Sequence, residues 1–303
     1  MSINILAMKK PQNQSAKVED YGERFDWSAE QEGHILGAYF YGFMFLSLPG
    51  GFLSLRYGPK RIVLIAMISS TLLTSFTPYA AKIGFGMICA TRFLIGVCGG
   101  PLLSCIHHLI ANWAPPDERS KFVTFMEGAS LAVIFTWQLL GVLVTEIGYT
   151  WGGFHIPAII SAVITVFWIF FVYNDPKSHP RISQEEREYI EKSLEGSSLM
   201  QGPRFPPMKA MITSIPFISL IILHYGSHWG MFFYITANPK YMTEVLGFEL
   251  DQTGFISTLP TIVRFFMCLV FGALGDFTFE QKLLTTTKIR KIFVIFCKFL
   301  ILI

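Results

Sequence analysis

The length of its apolar runs constrains this chain more than any other feature. Stretches of about 20 residues with few charges recur along it, and that length crosses the hydrocarbon core of a bilayer as an α-helix. In lipid each backbone N–H and C=O must be satisfied within its own segment, so the runs predict an all-α, polytopic membrane helix bundle. They fall at 34–55, 62–81, 85–112, 122–146, 153–173, 211–237 and 253–275. An eighth run, 292–303, is too short to cross. Composition agrees. Charged residues make up 15% of the 303 positions and hydrophobic residues 52%. A soluble domain carries roughly 25% charged residues. A soluble enzyme, a disordered tail and a fibrous protein are therefore excluded. The net charge of +3 is scattered and offers nothing to a nucleic acid.

Lys and Arg orient the spans. If the connection 9–33 is outside, the outside connections hold Lys9, Lys10, Lys17, Arg24, Lys82 and Lys240. The inside ones hold Arg56, Lys60, Arg61, Arg119, Lys121, Lys177, Arg181, Arg187, Lys192, Arg204, Lys209, Lys282, Lys288, Arg290 and Lys291. Fifteen against six satisfies the positive-inside rule. The same orientation puts the glycosylation sequon Asn13-Gln14-Ser15 on the side where glycans are added. Trp27, Trp113 and Trp151 stand at span ends, as an aromatic belt requires. The opening MSINILAM reads as the last turns of a span whose beginning is absent. Cys89, Cys98, Cys105, Cys268 and Cys297 sit inside apolar runs without CxxC spacing and read as buried thiols, with no disulfide framework and no metal site.

The connection 174–208 separates five spans from the rest. It contains ISQEEREYIEKSLEG, in which Ser183 and Glu186 have capping-box spacing, Glu188 and Lys192 form an i,i+4 pair, and Gly196 can end the helix. Residues 1–173 thus read as an N-terminal bundle lacking most of its first span, 174–208 as a cytosolic linker with a short helix, and 209–303 as an incomplete C-terminal bundle.

The turn after the first complete span reads GGFLSLRYGPKR, residues 50–61. It resembles the signature loop of the major facilitator superfamily, G-x-L-a-D-R-x-G-R-R, which Gly51, Arg56, Gly58, Lys60 and Arg61 match. Leu55 replaces the signature's Asp, which removes the loop's acidic partner. Further blocks resemble one family within that superfamily, the anion:cation symporters that include sialin, the vesicular glutamate transporters and the sodium–phosphate cotransporters. They are FDWSAEQEGHILGAYFYGF (25–43), TRFLIGVCGG (91–100), HHLIANWAPPDERSK (107–121), YNDPKSHPRISQEEREYIEKSL (173–194), PKYMTEVLGFELDQTGFISTLP (239–260) and LLTTTKIRKIF (283–293). The resemblance implies a carrier of two six-helix halves, with the substrate between them and alternating access by rocking. It also implies that this chain is a truncated form.

An ionisable residue inside a span points to function. Arg92 lies early in 85–112, and its planar fork suits a carboxylate or phosphate. In the family this position carries an Arg linked to anion recognition. The alternative is an Arg that pairs with a neighbouring helix or snorkels to the interface. Sialin-like members have acidic residues three and seven positions later, where this chain has Ile95 and Gly99, so the resemblance does not carry proton coupling by that route. His107 and His224 match family histidines, and Tyr39, Tyr41 and Trp229 are candidate cavity-wall aromatics. His224 and His228 have one-face spacing but no evident third metal ligand. If the resemblance extends to helix packing, spans 122–146 and 253–275 face each other across the halves, and Glu127 and Arg264 are then candidates for an ion pair that gates them; the alternative is that each finds a separate partner or water. Gly96 and Gly100 form a GxxxG contact.

The resulting expectation is a secondary transporter of small organic or inorganic anions, coupled to an H⁺ or Na⁺ gradient and needing no cofactor. Sialate, acidic amino acids and phosphate are the candidate substrates. Two rivals stand beside it: a truncated, transport-inactive membrane protein and a seven-span receptor. No Ser/His/Asp or HExxH arrangement supports a membrane hydrolase.

Overall fold

The computed structural model describes residues 2–9, 22–115, 122, 126, 129–195, 208–281, 288, 291, 292, 294 and 295. Asn13 and Glu127 lie outside these residues. Helix α1 (Ser2–Met8) is short and buries Ile3, Ile5 and Met8. The long helix α2 (Ala29–Tyr57) begins at Ser28, whose hydroxyl accepts the Gln31 N–H at 3.2 Å while the Gln31 side chain accepts the Ser28 N–H at 3.0 Å. This reciprocal cap satisfies two of the donors that a helix start leaves open. Helices α3 (Pro59–Ile83), α4 (Phe85–Gly99) and α5 (Leu102–Trp113) follow, the last two forming one membrane-length rod interrupted at Pro101. Among the described residues, four helical stretches are long and apolar enough to cross a membrane: Ala29–Tyr57, Pro59–Ile83, Phe85–Trp113 and Leu131–Phe171.

The fourth stretch holds two of the predicted spans, α6 (Ala129–Gly148) and α7 (Ile156–Phe171), joined by the π-helical segment Tyr149–His155. The sequence placed the two spans at 122–146 and 153–173. The chain turns back at Gly148, whose φ of 79° lies in the left-handed region that favours glycine. A Cβ on Gly152 would lie 2.2 Å from the Leu143 carbonyl oxygen. Nine residues of straight helix would separate these two by roughly 13 Å, so the contact requires a reversal.

Beyond α7 a 3₁₀ turn (Pro176–Ser178) and α8 (Gln184–Glu195) form the linker. Ser183 Oγ accepts the Glu186 N–H at 3.2 Å, as expected. The ion pair of α8 differs from the expected one. Arg187 bonds Glu191 at 2.7 Å, whereas Glu188 accepts from Gln184 at 2.9 Å. The Arg187 hydrogen bond holds the Glu191 carboxyl below the usual carboxylate range.

Helices α9 (Met208–Ile212), α10 (Ile215–Glu244), α11 (Leu250–Ile256) and α12 (Leu259–Glu280) complete the described fold. The predicted span 253–275 is broken at Ser257–Thr258. Pro260 has no N–H to continue the ladder, and at the break the Ser257 carbonyl and the Ser257 and Thr258 hydroxyls accept from side chains of other helices. Tyr234 donates to the Ser257 carbonyl, Asn238 donates to Ser257 Oγ at 2.9 Å, and Gln138 donates to Thr258 Oγ1 at 3.4 Å.

Helices α2 and α4 touch backbone to backbone. A Cβ on Gly42 would fall 2.0 Å from the Phe93 carbonyl oxygen, and one on Gly96 would fall 2.0 Å from that of Tyr39. Gly100 meets the Phe43 carbonyl in the same way, so the GxxxG pair is the packing surface. The core cluster gathers at one end of the bundle. Ile3, Ile5, Met8, Trp27, Ile35, Ile88, Trp137, Val144 and Tyr149 belong to it, and Tyr234 and Ile235 pack against it. This is the end the charge rule assigns to the outside. Trp27, expected in an interfacial belt, is buried here and stacks on Phe25 at 4.9 Å. Trp151 is exposed. Of the cysteines expected to be buried, Cys105 is, while Cys89 and Cys98 are half-buried.

Candidate functional site

The opposite end is organised by the basic turn. Gly58 has φ 83°, and a Cβ there would lie 2.9 Å from the Asn174 side-chain nitrogen. The tight fit lets Asn174 Oδ1 accept the Lys60 N–H at 2.9 Å. Lys60 Nζ donates to the Ile169 carbonyl at 2.9 Å and lies 4.3 Å from the Tyr173 ring centre. Trp168 donates to the Lys60 carbonyl, Trp113 to that of Tyr173 and Asn112 to that of Asn174. The turn therefore clasps the end of α7, and Tyr173 and Asn174 just beyond α7 hold the end of α5. Arg56 lies 5.5 Å from the Tyr57 ring, and the space beside Gly51 is open. Leu55, at the position of the missing Asp, is exposed.

Arg92 sits on α4 one turn before the Gly96 crossing. Its guanidinium carbon is 5.3 Å from the centre of the Tyr39 ring, and its Nε is buried with no hydrogen-bond partner. Among the described residues no carboxylate pairs with it. A guanidinium stacked on a ring keeps its in-plane donors for a carboxylate or phosphate. A Cβ on Gly99, where sialin-like members are acidic, would lie 3.0 Å from the Tyr39 hydroxyl. The Tyr39 hydroxyl thus stands where that carboxylate would begin.

From Tyr39 a row of rings crosses to α10. Tyr39 meets Phe40 edge-on at 5.4 Å, Phe40 meets Phe232 at 5.1 Å, Phe232 meets His228 at 6.0 Å, and His228 stacks on His224 at 5.6 Å. Arg92, Tyr39 and His224 therefore lie along one chain of contacts. Trp229 is exposed and meets Tyr225 at 6.1 Å, off that row. Exposed His107 bonds within its own helix to the Leu103 carbonyl. Its neighbour His108 makes the interhelical bond, to Ser54 Oγ at 2.8 Å. Arg264 contacts Met231 Sδ at 3.4 Å, and its expected partner Glu127 lies outside the described residues.

Two polar groupings were not anticipated. One is the joint at the α11–α12 break, where Thr253, Ser257 and Thr258 are fully buried. The other is an ionic cluster. Glu32 Oε2 accepts from Lys9 Nζ at 3.2 Å and from Lys240 Nζ at 2.7 Å, with the Glu32 side chain 1% exposed. The sequence placed all three residues in solvated outside connections or at their edges. Their spacing gave no sign, because Glu32 and Lys240 are 208 positions apart.

The sequence profile of the Major Facilitator Superfamily matches residues 13–303. Similar proteins include one from Drosophila ananassae named "Putative inorganic phosphate cotransporter", 32% identical over 96% of this chain and 64% of its own length. Vesicular glutamate transporter 3 of Danio rerio is 34% identical over 89% of this chain and 46% of its own. Sialin of Homo sapiens is 30% identical over 90% of this chain and 54% of its own. The chain spans about half to two-thirds of the length of these relatives.

Proposed function

The chain belongs to the major facilitator superfamily, and from that premise we propose that it carries small anions across a membrane by alternating access, driven by an H⁺ or Na⁺ gradient. It is a multi-pass integral membrane protein of a transporter family, not an enzyme. The observation that carries the reading is Arg92, with its guanidinium against the Tyr39 ring and a buried Nε that no side chain engages. A half-buried cation inside a membrane span, with its Nε fully buried and no carboxylate partner among the described residues, is costly unless a ligand supplies the negative charge. The row of rings from Tyr39 to His224 supports a site shared between α2, α4 and α10, flanked by the bundles 1–173 and 209–303 on either side of the linker. The relatives named for phosphate and glutamate favour a phosphate or carboxylate as the passenger, and sialate belongs to the same chemical class.

The test is a flux screen in proteoliposomes with inorganic phosphate, L-glutamate and sialate under imposed pH and sodium gradients. Arg92→Ala is expected to reduce flux of the transported anion by about tenfold to a hundredfold, the range for losing one charge-assisted contact. Arg92→Lys retains part of it, since the charge remains but the fork is lost. Equal flux in Arg92→Ala and the parent would discard the anion site. No flux of any anion would leave a transport-inactive membrane protein.

A further inference from the structure

We infer that Glu32 and Lys240 form a latch that holds the outer end of the bundle shut, while Lys9 keeps the Glu32 carboxylate paired whenever the latch opens. The inference rests on the alternating-access part of the transport reading. Glu32 is on α2, ahead of the linker, and Lys240 is near the end of α10, beyond it. Their 2.7 Å contact ties together two elements that rocking must separate. It caps a seam made of apolar side chains: Phe40 against Phe232, and Trp137 against Tyr234 at 6.0 Å.

The asymmetry of the cluster argues for a moving part rather than a static brace. A carboxylate buried to this degree is strongly disfavoured if its counter-charge leaves. Lys9 prevents that. It is itself buried, bonds the same oxygen at 3.2 Å, and is tied to the segment leading into α2, where the Phe25 N–H donates to the Met8 carbonyl at 2.7 Å. Lys240 is about one-third exposed already, so of the two cations its ammonium is the one nearer to water. The buried partner thus stays with the carboxylate, and the partner that departs is the hydrated one. A brace against unfolding has no need of this arrangement.

The test uses accessibility, which requires no transport. In vesicles, in a background with Cys98, Cys268 and Cys297 replaced by Ser, a membrane-impermeant maleimide is added from outside. Cys89, half-buried against the outer core, reports opening of that end, and buried Cys105 reports loosening of the whole chain. Lys240→Gln is expected to speed Cys89 labelling by about tenfold, the population shift that follows from a modest change in one contact. Lys240→Arg is expected to keep the parental rate, and Cys105 is expected to stay unreactive in each variant. Equal Cys89 rates in Lys240→Gln and the parent would overturn the latch. So would a rise at Cys105 as large as that at Cys89, which is the mark of a brace. Faster Cys89 labelling in a chain that moves no anion would retire the transport reading and keep the opening motion. Unchanged labelling with intact flux would do the reverse.

Discussion

Where α2 meets α4 the contact is backbone on backbone, and where α2 meets α10 it is side chain on side chain. In the first seam Gly42, Gly96 and Gly100 bring two helices together until no Cβ fits between them. In the second, Phe40 touches Phe232 edge-on and Glu32 reaches Lys240 through a flexible stem. Close-packed backbones have one arrangement, whereas rings and long ionic side chains can part and meet again without refolding a helix. The difference teaches which pieces move together. Helices α2 and α4 carry Tyr39 and Arg92 on one close-packed seam, and in the transport reading proposed above α10 is the element that approaches or leaves it.

The largest effect should come from breaking the rigid seam. In Gly96→Val the new Cβ meets the Tyr39 carbonyl oxygen, which is backbone and cannot turn aside. Overpacking costs about 1–3 kcal/mol, occasionally more, and a clash with backbone falls at the upper end. Thermal unfolding of the detergent-solubilised protein should show a midpoint several degrees lower and a poor yield. A variant as stable as the parent would remove the distinction between the seams. At the movable seam, Phe232→Leu forfeits the edge-to-face pair with Phe40, worth about 1 kcal/mol. Its midpoint should shift little, while outside labelling of Cys89 rises a few-fold. Should Phe232→Leu destabilise as much as Gly96→Val, the two seams are of one kind.

The sequence carried the rigid seam better than the movable one, for a physical reason. Apolar runs, a GxxxG spacing and a Ser183 cap are local patterns, and local patterns survive in a linear reading. Gly58 and the basic residues after it were legible as a turn, although nothing in them revealed that Asn174 would fill the space beside Gly58. Arg92 stood out because a lone cation in a greasy run is conspicuous. Glu32 did not, since an acidic residue in the first turn of a helix ordinarily sits in water and favours the helix dipole. Only the arrival of α1 and α10 buries it, and a contact between positions so distant leaves no periodic trace. The break at Ser257–Thr258 was hidden likewise, because Ser and Thr are tolerated in helices and the partners that support the break, Tyr234, Asn238 and Gln138, lie elsewhere in the chain.

Helix α8 belongs to neither seam, which makes it the control for both. Its Arg187–Glu191 pair is one of two i,i+4 ion pairings that its sequence permits, with the Arg187 side chain 44% and that of Glu191 33% exposed. The folded Glu191 carboxyl titrates below its ordinary value, chiefly through the Arg187 hydrogen bond. A depressed carboxylate stabilises the fold above its unfolded pKa, and the contribution is lost as pH falls through the folded value. Amide exchange in α8 of the whole protein, corrected for intrinsic rates, should therefore show full protection at neutral pH. Protection should decline by about twofold below roughly pH 4, as a solvent-screened pair allows. Arg187→Gln should abolish that decline and leave Cys89 labelling unchanged. If Arg187→Gln altered the labelling, the linker helix would be coupled to the outer latch, and the division of the molecule into a rigid unit, a moving helix and a passive connector would have to be redrawn.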